Sequence, residues 1–260
     1  EGYSVRQLSQ QSGHSQTKLS RIINHWLSKA PNQSVNTLEQ HRYLILDGTF
    51  LHRPVSIIAL MDAETNKIIA GQYGVSENSE RQLLSFFKPL IARGLKPVSC
   101  TVDGNRTAMR VMEELWPGIV IQRCVVHIQR QGLSWCRMHP KTAAARGVKK
   151  LFLQVPGIKN EEERDRFFES INQWELKYGQ YIELHPEKGR VFSDLKRARS
   201  VLTKALPRMF RYLEDPKISS TSNGLEGYFS RLKSHYRQHR GLSKEKRNSY
   251  FNWYFYFRPK

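Results

Sequence analysis

The chain has 260 residues, room for one large domain or two modest ones, and its 39% apolar and 11% aromatic side chains can build a core. Charged residues at 25% sit near the globular average, which excludes wholesale disorder, and no run approaches the roughly eighteen apolar residues of a membrane span. The formal net charge is +19, and from Arg197 to Lys260 there are 15 basic against 4 acidic residues, a field that selects polyanions, nucleic acid first among them. Glu1 to Gln11 carries no apolar signal core, which argues against secretion, and the abrupt start at Glu1 suggests a fragment. Three cysteines, Cys100, Cys124 and Cys136, are too few and odd in number for a disulfide framework, so a reducing compartment is the expectation.

The first expected elements are two short helices. Ser4 can cap one through Gln10, Gly13 punctuates, and Ser15 can cap a second from Gln16 to Ser28. Leu19, Ile22, Ile23 and Trp26 recur at helical spacing and make its apolar face. Gln16, Thr17, Lys18 and Arg21 lie on the other face and suit phosphates and base edges. The segment reads as a helix-turn-helix over residues 1–29; a small hairpin packing on the next domain is the plainer alternative. Residues 30–41 read as a linker.

Short apolar runs follow as strands: Arg42–Asp47, Pro54–Asp62 and Lys67–Val75, with a polar turn from Asp62 to Asn66. A helix is expected over Ser79–Arg93, closed by Gly94. A strand over Pro97–Val102, a helix over Arg106–Trp116 and a strand over Ile119–Gln122 complete the order β-β-β-α-β-α-β. That order predicts an α/β fold with a mixed five-stranded sheet flanked by helices. Beyond it the pattern is helical: Val125–Met138, Thr142–Leu153, Glu161–Tyr178, Leu195–Leu213 and Ser222–His235, interrupted at Pro140, Pro156 and Pro186. The aromatic tail Tyr250–Phe257 reads first as core or docking material and second as a base-stacking surface.

Three acidic residues occupy informative places. Asp47 is expected to end the first strand and Asp103 the fourth, each just before Gly. A carboxylate at the end of a buried strand needs compensation, and a cation supplies it; alone, each is more often a strand-end Asp-Gly turn residue, and the pair on neighbouring strands reverses that. If strands one and four are neighbours, both side chains emerge at one edge and make a hard-cation site. Glu226 opens a late helix inside the basic quarter. It would either serve the helix dipole or give a third ligand. Arg231, Lys233, Arg237 and Arg240 follow it as candidate backbone phosphate contacts, with Lys233 on the face of Glu226 and Arg231 rotated away.

Here a resemblance becomes specific. Asp47-Gly-Thr-Phe50, Asp103-Gly-Asn105, Cys124-Val-Val-His127 and Thr221-Ser-Asn-Gly-Leu-Glu226, in this order, resemble the DDE transposases of the Mutator-like group and its bacterial insertion-sequence relatives. The resemblance spans about residues 43–240. It implies an RNase H-like catalytic domain (residues 42–139 and 216–260) interrupted by an all-helical insertion (140–215). It further implies that Asp47, Asp103 and Glu226 hold two divalent ions about 3.5–4 Å apart. Asp47 would bridge both, with Asp103 on one and Glu226 on the other. Mg²⁺ suits such all-oxygen ligation and Mn²⁺ can substitute. The implied chemistry is cleavage by water at the ends of a transposon, freeing a 3′-OH that attacks target DNA. Implied partners are double-stranded DNA, both terminal inverted repeats and target, and at least one more copy of the chain. The implied place is the cytoplasm on the nucleoid, or the nucleus in a eukaryote.

Cys124-x2-His127 and Cys136-x2-His139 look like zinc half-sites, but on one continuous helix they stand about 18 Å apart and share an ion only if the helix breaks, at Gly132 for instance. Zinc is therefore not expected. His127 reads instead as a group beside the carboxylates, contacting the scissile phosphate, with Cys124 packed beneath; a satisfied core pair is the alternative. Trp174 reads as a core or interface residue ahead of a base-stacking one. Rival functions are another RNase H-like nuclease, such as a resolvase or ribonuclease, and a domesticated DNA-binding regulator without catalysis. The long insertion opposes the first, and three spaced carboxylates oppose the second.

Overall fold

The computed structural model of the protein describes residues 3–31, 37–184, 190–239 and 241–259, of 190–193 the backbone alone. Arg240, Pro186 and residues 32–36 of the expected linker lie outside the described residues. The chain is α/β, and its strands form one mixed sheet in the order β3-β2-β1-β4-β5. By internal contacts it divides into two units.

The first unit comprises residues 1–98, 105–119 and 223–260. It opens with α1 (Val5–Ser12), capped by Ser4, whose hydroxyl accepts from the Gln7 amide while the Gln7 side chain accepts from the Ser4 amide. Gly13 ends α1 with φ 69°. Ser15 caps α2 (Gln16–Leu27). Next come β1 (Tyr43–His52), β2 (Val55–Asp62) and β3 (Ile68–Tyr73), an antiparallel meander. Strand β1 does not end at Asp47: Gly48, Thr49 and Phe50 go on pairing with Ile58, Ile57 and Ser56, so Asp47 sits mid-strand opposite Ala59. The chain reverses at Arg53-Pro54 instead. Asp62 organises the next turn, its Oδ1 accepting from the Thr65 amide and hydroxyl at 2.7 and 2.8 Å. Helices α3 (Glu80–Ala92) and α4 (Arg106–Leu115) carry apolar stripes, and Ser79 and Asn105 cap them.

The second unit comprises residues 99–104 and 120–222. Its parallel strands are β4 (Ser99–Val102) and β5 (Val120–Arg123). Then come α5 (Val125–Ser134), α6 (Ala143–Gln154), α7 (Glu161–Leu184) and α8 (Arg190–Ala205). Helix α5 stops four residues short of the expected Met138. The Ser134 hydroxyl donates to the Gln131 carbonyl, and the Trp135 ring turns aside under Arg197, 4.6 Å from its guanidinium. Gly132 does not break α5; a Cβ there would lie 2.1 Å from Phe152, so the glycine lets α6 approach. Helix α8 also ends early, at Ala205, because Pro207 cannot donate to a continuing helix, and two 3-10 turns follow. One core joins α5 to α8 through Ile128, Phe152, Phe167 and Leu202.

The first unit closes with α9 (Asn223–Tyr236) and α10 (Lys244–Phe257). Leu225, Phe229 and Leu232 of α9 and Phe251 and Tyr254 of α10 bury against Ile45, Ile57 and Ala59 of the meander. A Cβ on Gly71 would strike the Phe255 ring at 2.2 Å, which is how closely α10 lies on β3.

Candidate functional site

The site begins with the pleat of β1. Residues two apart share a face, so Ile45, Asp47 and Thr49 form one row. Ile45 packs in the core with Leu225 and Phe229 of α9. Two residues on, the Asp47 and Glu226 carboxylate oxygens lie within 4.8 Å of each other. Two further on, the Lys233 ammonium donates to the Thr49 hydroxyl. Glu226 and Lys233 are two turns apart on α9, which is why both face this row. Arg231 is rotated off it, its guanidinium 5.9 Å above the Tyr228 ring.

Asp47 is 5% exposed, and the Gly48 amide donates to its Oδ1 at 2.8 Å. A Cβ on Gly48 would lie 2.8 Å from the Glu77 carboxylate, so Glu77 lies against the face of β1 opposite the one that carries Asp47. The Asp47 and Glu226 carboxylates, their oxygens within 4.8 Å, repel unless a cation lies between them, and carboxylate oxygens are donors for a hard divalent cation.

A basic groove of about 490 Å³ opens on the same unit, lined by His52, Lys233, Arg237 and Arg247 together with Leu51 and Tyr236. It gathers two predicted phosphate ligands, Lys233 and Arg237, and adds Arg247 and His52. Their sequence signal was charge alone, indistinguishable from other surface cations. Gln16, Thr17, Lys18 and Arg21 are all exposed on the first turns of α2. The other end of α2 is held by α10: Trp253 Nε1 donates to the Trp26 and Lys29 carbonyls at 2.9 and 3.0 Å, and Lys246 donates to Asn24 Oδ1 at 2.9 Å.

In the second unit Asp103 follows β4 and is half-buried. Gly104 beside it has φ 104°, and a Cβ there would lie 2.3 Å from the buried Arg123 guanidinium. Arg123 also donates to the Asp103 carbonyl at 3.4 Å. Cys124 opens α5. Its Sγ accepts from the Ser222 amide at 3.3 Å, and the Ser222 hydroxyl bonds His127 Nδ1 at 3.2 Å. Burial pushes the Cys124 thiol up, but the hydrogen bonds from His127 and Ser222 outweigh it and leave the thiol below its ordinary range. Trp174 is 6% exposed and donates to the Ala144 carbonyl at 3.0 Å, so it is a core residue of this unit.

Compared with known families, residues 10–190 match the profile described as transposase, Mutator family. The chain belongs to that family. The match covers more than two-thirds of the chain and takes in Asp47, Asp103 and His127, while Glu226 lies beyond its end. No curated protein matches the chain. At the level of the family the chain is a transposase, a DNA-processing protein of mobile elements, and such proteins generally work with divalent metal. No helix among the described residues is long and apolar enough to cross a membrane.

Proposed function

We propose that the chain is a DDE transposase with an RNase H-like catalytic core, cutting DNA at transposon ends and joining the freed 3′-OH to target DNA. The observation that carries the reading is the convergence of Asp47 and Glu226, one mid-strand early in the chain and one on a late helix, within 4.8 Å. The sheet order β3-β2-β1-β4-β5 with an antiparallel β1–β3 meander supports the RNase H-like assignment. Asp103 and His127 are proposed to complete the set. Asp47, Asp103 and Glu226 would hold Mg²⁺, or Mn²⁺ in its place. When bound, such ions polarise the scissile phosphate and make a nucleophile of water or a 3′-OH near neutral pH.

The chain's own residues do the rest. The Gly48 amide donates to Asp47 Oδ1 and orients the carboxylate. Ser222 engages His127 Nδ1 and orients the ring, and His127 is proposed to contact the scissile phosphate. Lys233, Arg237 and Arg247 hold the DNA backbone and give affinity without sequence choice. We propose that α1 and α2 form a helix-turn-helix whose Gln16, Thr17, Lys18 and Arg21 read base edges of the terminal repeats. Cutting two ends asks for two catalytic centres, hence a homodimer or larger assembly.

Asp47→Asn, Asp103→Asn and Glu226→Gln test the chemistry. Each should abolish cleavage of an end-bearing duplex, by about 10³-fold or more, and leave DNA affinity within about threefold. Strong residual cleavage in any one of them removes that residue from the set.

A further inference from the structure

Arg123, at the end of β5 in the second unit, is a charged side chain only 7% exposed. A buried guanidinium is costly to desolvate, and an unbranched apolar side chain would fill the space without that cost, so its polar contacts must account for it. Its Nη2 donates to the Asp103 carbonyl at 3.4 Å and to Gln131 Oε1 at 3.5 Å. The β4–β5 register ends at Val102 opposite Arg123, and the Cys124 amide donates to the Val102 carbonyl at 2.8 Å. Asp103 is thus the first residue past the paired strands, and the Arg123 side chain reaches over the place where the pairing stops.

Gly104 shows how closely it does so. Its φ of 104° is one that residues with a side chain rarely adopt, and a Cβ there would overlap three guanidinium atoms of Arg123, Nη2, Nε and Cζ. The guanidinium therefore lies against the Asp103-Gly104 backbone and limits how that turn can swing. At its other contact, Gln131 stands on α5 four residues after His127, so the two share a helix face. Arg123 thereby links the turn that carries Asp103 to the helix face that carries His127. Its own backbone is braced from the opposite side of β5: the buried Gln122 donates through Nε2 to the Arg123 carbonyl at 2.5 Å and to the Met209 carbonyl at 2.9 Å.

We infer that Arg123 is a positioning residue: it fixes the Asp103 turn against the His127 face of α5, so that the Asp103 carboxylate is set in place before a divalent cation arrives. The inference rests on the proposed role of Asp103 as a metal ligand and goes beyond it by naming the side chain that holds that ligand. Arg123 itself touches neither the ion nor DNA in this role. A ligand at a strand end has to be ordered on binding, and a side chain that orders it beforehand raises metal affinity without contacting the metal. The role needs arginine, because a lysine ammonium is a point donor on a flexible stem and cannot lie flat on the turn while bonding two acceptors.

Mn²⁺ alone, titrated into the full chain without DNA and followed by the electron paramagnetic resonance of the free ion, tests it. Asp103→Asn should weaken Mn²⁺ binding at least about tenfold, and Arg123→Lys, which keeps the charge and loses the planar fork, should weaken it about tenfold as well. In the Asp103→Asn background Arg123→Lys should have no further effect, because a residue that acts through Asp103 then has nothing left to position. A role in general stability would instead lower binding by the same factor in both backgrounds. Circular dichroism checks that each variant is folded. Should Arg123→Lys misfold, Gln131→Ala, at an exposed position, replaces it, with an expected loss of about two- to threefold in the wild-type background and none beside Asp103→Asn. Wild-type Mn²⁺ affinity in the Arg123 variant, or an equal loss in both backgrounds, overturns the inference and leaves Asp103 a ligand. Wild-type affinity in Asp103→Asn removes Asp103 from the metal site and overturns the inference together with that assignment.

Discussion

The basic groove beside α9 makes a quantitative claim about salt. Lys233, Arg237 and Arg247 line one depression of about 490 Å³ and touch none of the proposed ligands. If each neutralises one phosphate, each adds about 0.9 to the slope of log affinity against log salt. Replacing all three by Ala should flatten the slope by about 2.7 units, so that between 50 and 200 mM salt wild type loses about 40-fold more affinity than the variant. The loss should be the same for end-bearing and unrelated duplexes, because phosphate contacts carry no sequence information. Fluorescence anisotropy of a labelled duplex across a salt series measures both quantities. Parallel slopes would mean that the groove faces solvent, and the DNA path past Glu226 would then have to avoid it.

Three further outcomes are expected. Gly104→Ala should cost about 1–3 kcal/mol in urea unfolding, since φ is 104° there and a methyl group meets the buried Arg123 guanidinium; an unchanged midpoint would show that the turn relaxes. Burial pushes the Asp62 carboxyl up, but hydrogen bonds with His41 and Thr65 outweigh it and hold the group below its ordinary range. Its stabilising contribution is therefore present above the unfolded value of about 3.9 and lost as pH falls through the folded one. Asp62→Asn should cost about 1–3 kcal/mol at pH 7 and progressively less in acid, and a gap that stays constant down to pH 3 would refute this. Gln16→Ala, Lys18→Ala and Arg21→Ala together should lower the ratio of specific to non-specific binding by at least about 1–3 kcal/mol, and an unchanged ratio moves end recognition away from α2.

The fold class was legible because its strands are short apolar runs with polar turns, and its helices carry single stripes. Element edges were less so, for reasons visible at particular residues. Asp47 and Gly48 look like a turn, yet they continue β1 because Ile57 and Ile58 of β2 offer backbone partners beyond them. Gly132 looks like a weak point in α5 and is instead the place where Phe152 packs. Trp174 reads as core from composition, and its bond to the Ala144 carbonyl shows why: a buried indole N–H needs an acceptor. Of the candidate site, Asp47 and Glu226 stand out in the sequence through their motifs, whereas Arg247 on α10 becomes distinctive only through its neighbours in space, Lys233 and Arg237.

The row on β1 also accounts for how Lys233 and Glu226 share one face of α9, over Asp47, without cancelling. A lysine has four flexible carbons and, left alone, would seek the nearest carboxylate. Here Lys233 is placed two turns beyond Glu226, and its ammonium is held by the Thr49 hydroxyl. Thr49 is on the same face as Asp47 because the pleat repeats every two residues. Ile45 at the other end of the row seats α9 by burying Leu225 and Phe229. One strand therefore sets three things in sequence: an apolar anchor for the helix, an acidic pair, and a fixed cation leading into the basic groove. Shifting β1 by one residue would turn all three to the opposite face at once. Asp47 accordingly needs the mid-strand position, where Ala59 of β2 fixes its register, rather than the frayed strand end at which its Asp-Gly sequence first suggests it.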